Sequence, residues 1–426
     1  MTSQIRDRLD ATKKYQLVTA GVQAGKTLEM MEYCLWSMHE IQKDVIFVLQ
    51  NSKADRNQLI RRIEEHPRRY ELAYIVPKIS VSPVRFNDPN KSPCRIILCL
   101  GNARSLESAY EIVKKRNRGF HMCMDEADLS IKSKDSSSKF EVAYIKIRES
   151  ASHTLGVTAT SVALHMKEEK IDDVINLLAP DDYTGIENIH IRSLNEGVPL
   201  EETWDKVYRT KFRKPEEDRV VLHVEARVIK YQNKLAEGLA ERYSDWLICT
   251  YNGNGITLFR LVEDSLTPGV KRVQQEIMPA KEISAALQTL YNMKDPGKRK
   301  ISIIAGGMAT RGISYVSTDY TVHLTDQIFV PSQTAHGESI IQSLRLLGRY
   351  KDGKAPTLWT FPHVVNRIKN QHRIIKQFNV QRERRVNAPV QFDTPHIDMC
   401  RPGVMDETRT EMVGHNTMTL IKTVVN

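Results

Sequence analysis

Tyr15-Gln16-Leu17-Val18-Thr19-Ala20-Gly21-Val22-Gln23-Ala24-Gly25-Lys26-Thr27, running on into Leu28-Glu29-Met30-Met31-Glu32-Tyr33-Cys34-Leu35-Trp36, is the stretch that decides the fold. A short apolar run, a small-residue loop closed by Gly-Lys-Thr and a segment of helical apolar spacing follow one another in the order a P-loop requires. Gly25 lets the backbone approach a phosphate, and loop amides at a helix N-terminus attract anions. Gly21, Gln23, Ala24 and Gly25 therefore read as a phosphate cradle. Lys26 would reach the β- and γ-phosphates of ATP, and the Thr27 hydroxyl would hold Mg²⁺. A chance glycine-lysine turn before an ordinary helix is the competing reading, and Ala20 stands where glycine is commoner. The strand-loop-helix context favours the P-loop.

Outward from this stretch, short apolar runs alternate with longer segments of helical spacing, the pattern of parallel sheets covered by helices. Strands are predicted over 15–19, 45–50, 95–100, 121–124 and 155–158, with helices over 27–40, 54–65 and 105–115. Directly after the apolar run His121-Met122-Cys123-Met124 stands Asp125-Glu126-Ala127-Asp128. Carboxylates there suit Mg²⁺ held through Asp125 and an attacking water positioned or deprotonated by Glu126. An acidic turn after a strand is common, but not about a hundred residues and two βα units beyond a P-loop.

Gly-Lys-Thr followed by Asp-Glu-Ala-Asp resembles motifs I and II of superfamily 2 helicases. Other segments fall in the same order. Thr158-Ala159-Thr160 resembles motif III, which in that family links the ATP site to the nucleic-acid path. The run 303–314, with its Arg311-Gly312 pair, resembles motif V, and Gln342-Ser343-Leu344-Arg345-Leu346-Leu347-Gly348-Arg349 resembles motif VI. The resemblance spans roughly residues 15 to 350. It implies two tandem RecA-like α/β lobes with MgATP between them, and an arginine finger completing the site. Gln342, Arg345 and Arg349 are the motif VI candidates, with Arg349 favoured as the finger and Arg345 next, and Arg311 is carried over to the nucleotide site. The inner residues of the familiar Gln-Arg-x-Gly-Arg-x-Gly-Arg form differ here. Loop residues at strand ends would grip a phosphodiester backbone: Asn51, Lys53, Asn102, Arg104 and Thr160, with the segment 252–255 in the second lobe.

Within the superfamily, Asn51-Ser52-Lys53-Ala54-Asp55 replaces the Pro-Thr-Arg-Glu-Leu of DEAD-box RNA helicases. The upstream glutamine that reads adenine has only Gln4 and Gln16 as counterparts. The Gly-Gly before Arg311 is more similar to Z1 and restriction-type helicases, and Tyr183-Thr184-Gly185 is similar to a Z1 Tyr-x-Gly segment. DNA is accordingly favoured over RNA, single-stranded or duplex, and a replication, repair or nuclease partner protein fits the same reading. So does a viral, phage or mobile-element origin.

The chain of 426 residues exceeds one core, and division is expected as 1–160, a connecting segment 161–217, 218–362 and a basic C-terminal extension 363–426. In the second lobe, strands are predicted over 220–224, 246–250, 301–305, 321–325 and 357–361, with a helix over 230–243. Lys and Arg outnumber Asp and Glu by 62 to 52, a net charge of +10, which suits a polyanionic partner. The six cysteines form no metal spacing, and no run of ~18 apolar residues is long enough to cross a bilayer. A soluble, intracellular protein with free thiols is expected. Two rivals are a viral packaging motor, which would need a metal-binding carboxylate cluster among residues such as Asp264, Asp319 and Asp326, and a non-catalytic scaffold. The retained Lys26 and Glu126 weigh against the scaffold.

Overall fold

A parallel strand in the middle of a sheet is buried on both faces, and β1 (Tyr15–Thr19) is such a strand, all five residues being buried and its polar Gln16 hydrogen-bonded internally. In the computed structural model the described residues are 4–51, 53–77, 94–128, 138–160, 171–212, 217–224, 228–263, 269–280, 282–306, 309, 313–332, 335, 337–350 and 355–384. The side chains of Lys53, Ala54, Leu200, Arg349 and residues 381–384 lie outside that set. The described chain groups into two compact units, one up to Ala179 together with the helical residues from Arg373, the other Pro180–His372.

In the first unit β1 leads into α1 (Lys26–Leu35), β2 (Asp44–Leu49), α2 (Lys53–Glu65), β3 (Tyr74–Ile75), β4 (Ile96–Leu100), α3 (Ala103–Arg116), β5 (Phe120–Asp125), α4 (Lys139–Ser150), β6 (Thr154–Thr158) and β7 (Asp173–Asn176). The strands form one parallel sheet in the order β3-β4-β2-β5-β6-β1-β7. Side chains alternate between its faces. Val45, Phe47 and Leu49 pack with Met30, Tyr33 and Leu35 of α1, whereas Ile46 and Val48 pack with Leu106, Val113, Tyr144 and Ile147 of α3 and α4. Helical spacing predicted one helix over 27–40; the α-helix ends at Leu35 and a π-helical turn takes Trp36–Glu40.

Under α1 lies an aromatic cluster of Tyr33, Trp36, His121 and His153, the two imidazole centroids 5.4 Å apart. The Tyr33 hydroxyl is 2.8 Å from His153 Nδ1, and His153 Nε2 is 3.0 Å from Gln16 Oε1. Burial is the main cause that holds His121 down at about 3 and His153 at about 4. Neutral rings are what the fold favours, so this contribution is complete above about pH 6.5 and is lost as the pH falls toward 4. Each ring costs about 1.4 kcal/mol per pH unit below 6.5, several kcal/mol for the pair by pH 5. Urea unfolding should therefore show a lower midpoint at pH 5 than at pH 7, and His121→Phe should remove about half of that difference. An equal difference in the variant would exclude His121 as its source.

The second unit contains β8 (Tyr183–Thr184), β9 (His190–Ser193), α5 (Leu200–Lys211), β10 (Arg219–Val224), α6 (Ile229–Arg242), β11 (Leu247–Asn252), β12 (Gly255–Glu263), β13 (Lys271–Ile277), α7 (Ile283–Asn292), β14 (Lys300–Ala305), β15 (Asp326–Phe329), α8 (Gly337–Gln342), β16 (Gly348–Arg349), β17 (Thr357–Thr360) and the part of α9 (Pro362–Arg384) up to His372. Its main sheet runs β13-β12-β11-β14-β10-β15-β17-β9. The six strands from β11 to β9 are parallel and β12 and β13 add an antiparallel edge. Trp204, Tyr208, Phe212, Trp246 and Trp359 belong to its core.

Sequence expectations meet the structure at three places here. The strand predicted over 321–325 is absent: Asp319 accepts from Ser317 Oγ at 2.6 Å and Thr321 Oγ1 at 2.7 Å, closing a turn, and the strand begins at Asp326. The segment 252–255, placed among the strand-end loops, is the hairpin turn between β11 and β12, where Asn252 Oδ1 accepts from Asn254 N at 2.9 Å. The segment 161–217 contributes to both units, since β7 pairs with β1 and β9 with β17. The basic helix α9 buries Val364, Ile368, Ile374, Ile375 and Phe378 and turns Lys369, Arg373 and Lys376 outward. Among the described residues no helix is long and apolar enough to cross a membrane.

Candidate active site

Parallel strands place every loop that follows a strand at one end of the sheet, which is where ligands bind in α/β folds. In the first unit that end collects the loops after β1, β2, β4, β5 and β6. Strand β6 lies between β1 and β5, so the Gly25-Lys26-Thr27 and Asp125-Glu126 segments are two strand spacings apart, roughly 9–10 Å at the strands. That gap is wide enough for a phosphate and an ion.

The loop after β1 has the geometry of an anion cradle. Gln23 (φ 58°) and Gly25 (φ 92°) both lie in the left-handed region, Ala24 N donates to Gly21 O at 3.2 Å, and α1 starts at Lys26 with no side-chain cap. Leu28 N donates back to Gly25 O at 3.0 Å, and the amides of Lys26 and Thr27 before it are the ones placed for a ligand. Gln23 Nε2 is buried without a hydrogen-bond partner, which an anionic or carbonyl ligand would satisfy. Lys26 is 9% exposed and its Nζ donates to Gly21 O at 3.3 Å.

Asp125 ends β5, and its carboxyl is pushed up to about 7, first by burial and then by the charges of Glu126 and Asp55, with Lys26 pulling the other way. A buried, crowded carboxylate of this kind is stabilised by a divalent cation, so Asp125 and the Thr27 hydroxyl fit a Mg²⁺ site completed by substrate phosphates. Glu126 is 8% exposed and held at φ 51°, a conformation uncommon for a residue with a β-carbon. Asp128 accepts from Thr158 Oγ1 at 2.8 Å and from Thr160 Oγ1 at 3.2 Å. The segments resembling motifs II and III are therefore joined by direct hydrogen bonds. Thr160 is fully buried on Asp128, so its hydroxyl faces the carboxylate and not a bound strand.

Gly101 fixes the adjoining loops: a β-carbon there would lie 2.9 Å from Leu49 O, so only glycine lets the chains after β2 and β4 approach so closely. Asn102 Nδ2 donates to Asn51 Oδ1 at 2.9 Å while its Oδ1 caps α3 through Ser105 N. Arg104 is exposed beside them. The structure thus brings Asn51, Asn102 and Arg104 together. The Lys53 side chain lies outside the described residues.

Two residues that the sequence reading left out stand at this site. Asp55, on the first turn of α2, is close enough to raise Asp125. Arg62, two turns along the same helix, donates from Nη1 to Thr27 Oγ1 at 2.6 Å. Asp55 falls within the stretch that replaces Pro-Thr-Arg-Glu-Leu, which is the signal that could have found it. Gln16 is buried and spent on Arg8 O, Asp173 and His153, and Gln4 pairs through both amide atoms with the Leu178 backbone.

In the second unit Arg345 is 5% exposed, its Nη1 donating to Ile313 O at 3.2 Å and its Nη2 to Gln342 O. Gln327 clamps the same loop, donating to Ser343 O and accepting from Arg345 N, each at 2.9 Å. Gln342 is also buried. Arg345 is therefore a structural tie between the segments resembling motifs V and VI. Arg345→Ala should leave buried carbonyls without donors and cost about 3 kcal/mol. Urea unfolding would show it; an unchanged midpoint would return Arg345 to the finger candidates. Arg349 lies in β16, paired with Tyr183 of β8, so the Tyr183-Thr184 segment and the end of the motif VI-like run are strand neighbours. Arg311 lies outside the described residues.

The fold is similar to that of S. cerevisiae Dbp5 bound to RNA and ADP BeF3, with a TM-score of 0.52 and 12% identity over 88% of this chain and 87% of that one. It also matches the ATP-dependent Type ISP restriction-modification enzyme LlaBIII bound to DNA, with a TM-score of 0.51 and 13% identity over 82% of this chain and 26% of the enzyme. The fold is thus the two-unit RecA-like α/β fold of these structures. No family model and no curated protein sequence matches the chain. At such identities the helicase likeness is one of fold, and the case for chemistry rests on the residues above.

Among the described residues no group of three or more His, Cys, Asp or Glu is placed to hold a metal. Asp326 is spent on Arg219 and on Trp359 Nε1, and Asp319 on its turn. Asp264 lies outside the described residues.

Proposed function

We propose that this protein is a nucleic-acid-dependent ATPase that moves on or remodels DNA in preference to RNA. The observation that carries the proposal is the pairing of an uncapped Gly-Lys-Thr helix with the crowded Asp125-Glu126 pair across β6, in a helicase fold. Within this site the amides of residues 21–27 orient the phosphates and Lys26 supplies positive charge to the β- and γ-phosphates. Thr27 and Asp125 would hold Mg²⁺, which would supply charge neutralisation on the phosphate oxygens. Glu126 takes the proton of the attacking water as its oxygen bonds to the γ-phosphorus and the bond to the β–γ bridging oxygen breaks. Arg349, not the buried Arg345, is the arginine we assign to charge on the transferred phosphoryl group, and Arg311 stays with the nucleotide.

Asn51, Asn102, Arg104 and Lys53 are assigned to the nucleic-acid backbone. Thr158 and Thr160 are positioning residues that act through Asp128. Contacts of this kind are sequence-tolerant and weaken with salt. Fluorescence anisotropy with labelled single-stranded DNA, single-stranded RNA and duplex DNA should show tightest binding to a DNA, falling steeply between 50 and 200 mM salt. Tighter binding to RNA would reverse the assignment of the track. No binding to any polymer would remove the nucleic-acid reading.

A further inference from the structure

The Thr27 hydroxyl already has a cationic partner. Arg62 reaches it from the third turn of α2, half-buried, with Nη1 at 2.6 Å from Oγ1. The donor is a guanidinium, so the bond is charge-assisted. A Mg²⁺ ligand sits about 2.1 Å from its ion. A guanidinium on the same oxygen would then lie within about 4 Å of a divalent charge, which like-charge repulsion opposes. Lys26, the chain neighbour of Thr27, is close enough to act on the Asp125 carboxyl, as are Glu126 and Asp55, so acidic groups lie within reach of a cation at this end of the sheet. Guanidinium and metal are alternatives for one place.

We propose that Arg62 is a resident cation of the magnesium position, bound to Thr27 when the metal is absent and displaced from it when the metal binds. The inference rests on the assignment of Gly25-Lys26-Thr27 as a nucleotide site. It gives α2 a function that the chemistry of hydrolysis does not require. The helix follows β2 and the Asn51 loop, so the Arg62–Thr27 bond ties the element behind a nucleic-acid-contact loop to the P-loop. Metal binding releases that tie. The class of ligand sensed is a divalent cation arriving with a nucleotide phosphate.

The test is a titration of Mg²⁺, from EDTA to millimolar, against full-length protein and a fluorescent N-methylanthraniloyl-ADP, for wild type, Arg62→Ala, Arg62→Lys and Lys26→Ala. Arg62→Ala is expected to lower the Mg²⁺ concentration giving half-maximal nucleotide binding by threefold or more, with Arg62→Lys in between. An unchanged half-point in both Arg62 variants overturns the proposal. So does a raised one, which would make Arg62 a phosphate ligand acting with the ion. Alanine suits an interior helix position; if Arg62→Ala nevertheless melts early, the lysine variant carries the comparison. Binding by wild type that Lys26→Ala abolishes, with no shift in the Arg62 variants, sinks this inference alone. No binding by wild type at any Mg²⁺ concentration sinks the nucleotide site and this inference with it.

Discussion

Glu126→Gln is expected to cut ATP turnover at least a hundredfold while leaving nucleotide binding in place. General-base groups contribute ~10²–10⁴ in rate, and the change removes the proton acceptor while keeping the volume of the side chain. Backbone geometry should survive as well, because Gln23 of the same site already adopts a left-handed φ of 58° close to the 51° of Glu126. Single-turnover hydrolysis together with binding of fluorescent ADP separates the two effects. A variant that hydrolyses like wild type would refute the role given to Glu126, and one that no longer binds nucleotide would make Glu126 a binding residue.

Asp125→Asn should do two opposite things at once: abolish most hydrolysis and make the protein more stable at alkaline pH. The carboxyl is raised from 3.8 to about 7, chiefly by burial. Its folded value lies above its unfolded one, so the protonated form is the one that the fold favours. That contribution is complete below about pH 3.8 and is lost as the pH rises through 7. Three units correspond to about 4 kcal/mol as an upper bound. The amide has hydrogen-bonding needs of its own, which leaves a net gain of at least about 1 kcal/mol at pH 8. Urea midpoints of variant and wild type should then diverge at pH 8 and converge toward pH 5. Equal midpoints at both would contradict the account of Asp125 as an ionised group held at a cost until a metal arrives.

The two assignments differ in how visible they were. The P-loop strand 15–19 is read to the residue, because it is short, buried throughout and followed directly by the Gly-Lys-Thr loop. Strands β7 and β9 were not visible: each has four residues, and β9 at the sheet edge is half-exposed or exposed throughout. The strand Lys271–Ile277 is hidden for the same reason, since an exposed antiparallel edge strand with Val273 and Ile277 as its apolar residues shows no alternation. The Asn-Gly-Asn-Gly run that introduces β12 was in fact a hairpin signal, here spent on the turn at 252–255.

Site residues divide in the same way. Lys26, Thr27, Asp125 and Glu126 are bound to motifs and strand ends, so spacing places them. Arg62 and Asp55 come from the face that α2 turns toward the P-loop, a matter of packing that no local spacing encodes. Arg345 shows the converse. Its spacing from Gln342 marks it as a motif VI residue, but burial and the carbonyls of Ile313 and Gln342 give it a structural task.

The most direct test of the central claim is steady-state ATP hydrolysis by the purified protein, alone and with single-stranded DNA, single-stranded RNA or duplex DNA, with Lys26→Ala as the control. The account predicts hydrolysis that a DNA stimulates most and that the control lacks. Hydrolysis absent under every condition, or equal in the control, would contradict it.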